Sequence, residues 1–276
     1  MKRKILLPTD FSDNAWSAVD YAIKLFKDET CSFYLLNSIA LKVSTMSNFS
    51  NSLLKVMKEK AIEELKELKS EIEAATNNPN HEFKTILSTL DLYDAITYEV
   101  KTNNIEFVVM GTKGATGAKE LFFGSNTVRV IKKLKGCPLL IVPNEYHYVE
   151  PRQLAFPTDF KIKLGEGELQ ILKTILSLYN SQIRILHINE EEELSEAQEA
   201  NYENLKTQLE GYNYSFHWMP EYSTKANEIK EFIEDLKIDM LAMVNHKKSW
   251  IERIATKPVI KKIGFHPFVP FLVIPA

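Results

Sequence analysis

The residues best suited to chemistry lie in one loop. Gly111-Thr112-Lys113-Gly114-Ala115-Thr116-Gly117-Ala118-Lys119 runs on to Gly124-Ser125-Asn126-Thr127, so four of the chain's nine glycines fall between positions 111 and 124. Glycine permits positive φ and lets a backbone approach a ligand closely. Gly124-Ser125 opens a stretch of helical periodicity, and the free N–H groups and dipole of a helix start favour an anion. Ser125, Asn126 and Thr127 add short polar donors, while Lys113 and Lys119 add positive charge. Together these make a phosphate cradle built from backbone amides. The competing reading is a loop whose glycines only form turns and cap a helix. The Walker pattern is absent, and so is the dinucleotide Gly-x-Gly-x-x-Gly.

Other chemistry finds little support. The histidines (81, 147, 187, 217, 246 and 266) are scattered, without the close pairing that metal sites use. No Gly-x-Ser-x-Gly elbow occurs. No catalytic residue and no metal ligand is therefore nominated. A net charge of −3 argues against a nucleic-acid surface. No run reaches the ~20 apolar residues of a membrane span, and the apolar stretch Ile5–Leu7 is too short for a secretory signal. Cys31 and Cys137 lie beside apolar runs and read as buried thiols in a reducing compartment, hence a cytoplasmic protein. The acidic run Glu190–Glu193 reads as a solvated helix start.

The elements that must position the loop repeat along the chain. With 276 residues, at roughly 100–200 per domain, two domains are expected. Leu7-Pro8-Thr9-Asp10-Phe11 returns as Phe156-Pro157-Thr158-Asp159-Phe160. Val130-Ile131-Lys132-Lys133 returns as Val259-Ile260-Lys261-Lys262, and Pro138–Pro143 as Pro270–Pro275. Three matches in the same order indicate two copies of one domain, residues 1–146 and 150–276, with a seam in Asn144–Arg152. In each copy apolar strand-like runs alternate with amphipathic helical segments, among them expected helices at Glu190–Glu210 and Ile254–Ile263. That alternation predicts the α/β class: two tandem five-stranded parallel-sheet domains with helices on both faces. In such sheets ligands bind beyond the carboxyl ends of the strands, where the strand order reverses. If strands one and four are neighbours, Pro8-Thr9-Asp10 and the loop after Met110 line one crevice.

The second copy keeps Pro157-Thr158-Asp159-Phe160 but not the glycine loop. Met243-Val244-Asn245-His246-Lys247-Lys248-Ser249-Trp250-Ile251-Glu252-Arg253-Ile254 holds no glycine, and Arg253 and Ile254 occupy the places of Gly124 and Ser125. From Met110 to Val130 is 20 positions, from Met243 to Val259 only 16. This copy is expected not to hold a phosphate ligand in the manner of the first, although His246, Lys247, Lys248 and Arg253 offer a basic loop.

Gly111-x2-Gly114-x9-Gly124-Ser125 resembles the nucleotide loop of the ATP-binding universal stress proteins, as do the first-strand Pro8-Thr9-Asp10-Phe11-Ser12 and the closing Val130–Lys133 and Pro138–Pro143 segments. The resemblance spans nearly all of residues 1–146 and extends more weakly over 150–276, so the chain resembles a tandem universal stress protein. It implies a Rossmann-like, adenine nucleotide alpha hydrolase-like sandwich in which strands one and four are neighbours. It implies ATP, or AMP or ADP, as ligand, with Mg²⁺ on the phosphates. Asp10 is implied near the adenine, and Ser38 touching it through its backbone. Gly111 and Gly114 would lie along the ribose and phosphates, and Gly124, Ser125, Asn126 and Thr127 on the phosphates. Pro8, Thr9, Met110 and Lys113 complete the set. Two departures stand out: Asn37 where the family often has His, and Ser38 where it often has a bulky residue. The family commonly dimerises through the fifth strand, which implies that the two copies associate that way and that the chain can form a homodimer. The implied role is a nucleotide-sensing stress-response or signalling module; the alternatives are a slow ATPase or phosphotransferase using the same site, and a purely structural protein. Weak ATP hydrolysis is the most that is expected, with neither nucleic acid nor membrane as partner.

Overall fold

A computed structural model of the chain describes residues 2–40, 48–112, 123–189, 193–220, 222, 224–246 and 268–276. The chain divides into two compact units, Met1–Tyr146 and His147–Ala276.

The first unit runs β1 (Arg3–Pro8), α1 (Asp13–Leu25), β2 (Cys31–Ser38), α2 (Asn48–Thr76), β3 (His81–Ser88), α3 (Leu92–Asn103), β4 (Phe107–Gly111), α4 (Ser125–Lys133) and β5 (Leu139–Val142). Its strands lie in the order β3-β2-β1-β4-β5, every pair parallel. A strand buried on both faces needs an unbroken apolar run, and Ile5, Leu6 and Leu7 of β1 and Val108 and Val109 of β4 are fully buried. β3, at the end of the order, alternates instead and presents Glu82, Lys84 and Thr85 to solvent. α1 buries Ala15, Ala18, Val19 and Ala22 at 3–4 residue spacing, and Ser12 caps it by accepting from the N–H of Ala15.

The second unit runs β6 (Gln153–Pro157), α5 (Glu166–Tyr179), β7 (Gln182–Asn189), α6 (Glu196–Gln208), β8 (Tyr214–Pro220), α7 (Lys225–Asp235), β9 (Met240–Asn245) and β10 (Phe271–Pro275). Its order, β8-β7-β6-β9-β10, repeats the first with parallel pairing throughout. In both units the order reverses beside the first strand: β1 pairs with β2 and β4, and β6 with β7 and β9.

One expected boundary moves. α6 starts at Glu196, not at Glu190, because Ser195 and Gln198 form a capping box: Ser195 Oγ accepts from the Gln198 N–H, and Gln198 Oε1 accepts from the Ser195 N–H at 3.1 Å. Glu193 stands exposed on a bend before that cap, and 190–192 lie outside the described residues. So does the helix expected at Ile254–Ile263. Cys31 and Cys137 are buried and unbridged, and burial pushes both thiols up to about 12. Among the described residues no helix is long and apolar enough to cross a membrane.

Candidate functional site

The loop after β1 is tightly folded. Thr9 follows the strand's last residue and is itself buried; its N–H donates to the carbonyl of Leu36 on β2 at 2.8 Å. Its hydroxyl oxygen accepts the N–H of Phe11 at 3.0 Å, and its carbonyl accepts from Asn37 Nδ2 at 2.9 Å. Phe11 takes the left-handed conformation, φ +63°. Asp10 is exposed, and its Oδ1 accepts from both the N–H and the hydroxyl of Ser12, at 3.2 and 2.6 Å. Pro8 closes β1, and Ser38 closes β2 with its hydroxyl donating to the carbonyl of Leu90 at 2.6 Å.

On the other side of the crevice β4 ends at Met110 and Gly111, both buried. Gly111 has a packing reason. A Cβ there would stand 2.6 Å from the backbone oxygen of Asn14 on α1 and 2.7 Å from its Cγ. Asn14 is buried, with its Nδ2 reaching Thr112 Oγ1 at 3.5 Å and Asn144 Oδ1 at 3.2 Å. The glycine thus lets β4 press against α1, a role that sequence spacing does not reveal; the polar Asn14 on α1's core face was the available signal. Lys113 and Gly114 lie outside the described residues.

The chain returns at Gly124, whose N–H donates to the carbonyl of Thr112 at 2.6 Å. Thr127 is turned inward: it is buried, and its hydroxyl donates toward the carbonyls of Gly111 and Thr112, at 3.1 and 3.2 Å. Its side chain fastens the two ends of the loop together and does not face the crevice as a phosphate donor. Ser125 and Asn126 are exposed. α4 begins with Gly124 as N-cap and no side-chain cap, whereas Ser12, Asp91, Ser195 and Thr224 cap α1, α3, α6 and α7. The N–H groups of Ser125, Asn126 and Thr127 therefore stand at the start of α4 outside the helix's own ladder. The structure brings Thr9, Asp10, Gly111, Gly124, Ser125 and Asn126 to one end of the β1–β4 pair. Among the described residues no group of three His, Cys, Asp or Glu side chains is placed to hold a metal ion.

The first-strand loop recurs in the second unit. Thr158 donates to the carbonyl of Leu186 at 2.9 Å, its hydroxyl oxygen accepts from the N–H of Phe160 at 3.1 Å, and Asp159 Oδ1 accepts from the N–H of Lys161 at 3.0 Å. His187 stands where Asn37 stands in the first unit, with Nδ1 3.0 Å from the carbonyl of Thr158. Beyond this loop the units part. The matching pairs Ile5–Phe107 and Leu154–Met240 put Val244 at the position of Gly111, and β7's Ile188 takes the position of Ser38.

A parallel five-stranded sheet of this order, with a helix starting at its reversal point, defines a class of Rossmann-like α/β domains. Comparison with known proteins gives the family. A family model described as "Universal stress protein family" matches residues 1–143, and the chain belongs to that family. It is 29% identical over 159 residues to a universal stress protein of Methanocaldococcus jannaschii, covering 51% of this chain and 95% of that one. It is 28% identical over 149 residues to one of Bacillus subtilis, covering 51% and 99%. A solved universal stress protein structure from Archaeoglobus fulgidus matches 99% of this chain and 96% of its own, with a TM-score of 0.73 at 21% identity, a likeness of fold.

Proposed function

We propose that the first unit binds an adenine nucleotide, ATP with Mg²⁺ on its phosphates, in the crevice between the ends of β1 and β4. The observation that carries this reading is the start of α4, where the Gly124 N-cap makes no side-chain cap bond and the strand order reverses. A polyphosphate suits that donor set, because backbone N–H groups and the exposed Ser125 and Asn126 supply hydrogen bonds and the dipole supplies the field. Asp10, Ser38 and the Pro8–Thr9 backbone line the base and ribose side, and Lys113 and Gly114 belong to the phosphate loop. With no described carboxylate cluster for a metal, Mg²⁺ rides on the phosphates.

The protein then serves as a cytoplasmic nucleotide-sensing module of the stress response. Its second unit is a copy that does not take ATP in the manner of the first.

Mass spectrometry of small molecules released from the purified protein is expected to find an adenine nucleotide. Calorimetry is expected to show ATP binding that Gly124→Arg abolishes. Unchanged affinity in that variant refutes the cradle.

A further inference from the structure

The second unit holds a cavity of about 340 Å³ at the carboxyl ends of β6, β7 and β9. The size lies in the range of small-molecule sites. Its origin is visible in the comparison of the two units. In the first, α1 begins at Asp13, and Asn14 presses on Gly111. In the second, the matching positions are Ile162 and Lys163, but the helix begins only at Glu166, a turn later. β9 carries Val244 where the first unit has glycine, and the loop 161–165 spans the opening. The lining is aliphatic: Ile162, Leu164, Ile188, Ile229, Met243 and Val244. Ile162 stays 45% exposed at the rim, an apolar side chain with no core to bury it.

Among the described residues, the charged or ionisable groups lining it are Asp159, Lys161, Lys225 and His246. Lys161 comes from the loop, and Lys225 is the first residue of α7, where the helix dipole adds positive potential. His246 ends the β9 wall; its Nε2 is buried with no hydrogen-bond partner among the described residues, 3.7 Å from Glu168 Oε1. Asp159, exposed, accepts from the N–H of Lys161.

We infer that this cavity binds a small amphiphilic acid, its apolar body against the aliphatic wall and its carboxylate between Lys161, Lys225 and His246. An adenine nucleotide fits poorly, since Val244 puts a side chain where the first crevice has glycine. The inference goes beyond the nucleotide reading of the first unit and does not rest on it.

The test is calorimetric titration of the full chain with octanoate, octanol and octylamine. Octanoate is expected to bind saturably, octylamine at least about tenfold more weakly, and excess ATP is expected to leave the octanoate isotherm unchanged. Lys225→Glu, at a helix position where a carboxylate is tolerated, is expected to weaken octanoate about tenfold. Leu164→Trp, which fills the mouth from a half-exposed loop, is expected to abolish it. No saturable octanoate binding, octylamine binding as tightly as octanoate, unchanged affinity in both variants, or displacement of octanoate by ATP overturns the proposal.

Discussion

Thr9 and Thr158 occupy the same place in the two units and make the same bonds: N–H to the second strand, hydroxyl oxygen to the N–H of a left-handed phenylalanine, carbonyl to a side chain on the neighbouring strand. Across the crevice the units differ. The first closes β4 against α1 through a glycine and a buried asparagine; the second starts its helix a turn later, fills the glycine position with valine and leaves an aliphatic cavity. The wall that fastens the first two strands is held constant, and the wall across the crevice has diverged.

The largest expected effect is on nucleotide binding. Titration should give one ATP per chain, and Ser125→Asp, which suits a helix start but repels phosphate, should lower affinity at least tenfold, as an order-of-magnitude expectation. A second equivalent ATP site would break the contrast. Next comes the glycine. Gly111→Val, which installs the second unit's residue, should destabilise the first unit by about 1–3 kcal/mol or more, because the new side chain meets the Asn14 backbone. Denaturation followed at Trp16, with Trp218 and Trp250 replaced, measures it; a neutral result removes the packing explanation. Exchanging Asn37→His and His187→Asn should change stability by less than about 1 kcal/mol, since both side chains serve the same threonine carbonyl.

The smallest effect should be shared. Burial lowers the pKa of His81 in the first unit, against a hydrogen bond to the carbonyl of Phe26; burial and then the charge of Arg184 lower that of His217 in the second. The unfolded chain therefore takes up protons first. Each histidine's contribution is present above the ordinary value of 6.5 and is lost as pH falls through its lower folded value. Both units should lose stability on acidification below neutrality, and His81→Gln should flatten that dependence in the first unit alone.

Much of this architecture is legible in the sequence. Unbroken apolar runs such as Ile5–Leu7 mark strands covered on both faces, and Ser12 before Asp13 marks a helix start that the structure keeps. The paired Pro-Thr-Asp-Phe segments announce the duplication. Three things escape. The inward turn of Thr127 depends on where the carbonyls of Gly111 and Thr112 come to lie, which local spacing does not encode. The start of α6 was hidden by an acidic run, although Ser195-Glu196-Ala197-Gln198 carries the capping-box signature. The equivalence of Asn37 and His187 is invisible because two different residue types donate to the same kind of carbonyl.

The left-handed phenylalanines bear on how the crevice keeps its outline. Phe11 and Phe160 hold φ of +63° and +54°, a conformation unfavourable for a side-chain-bearing residue by roughly 1–2 kcal/mol. Each is latched by a threonine hydroxyl behind it and an aspartate carboxylate whose acceptor binds the next N–H. The wall on the β1 side is therefore stiff. In the first unit the opposite wall is joined by the Gly124 N–H and the Thr127 hydroxyl, both resting on carbonyls at the end of β4. Both sides of that crevice are thus tied by the chain's own hydrogen bonds at the ends of β1 and β4.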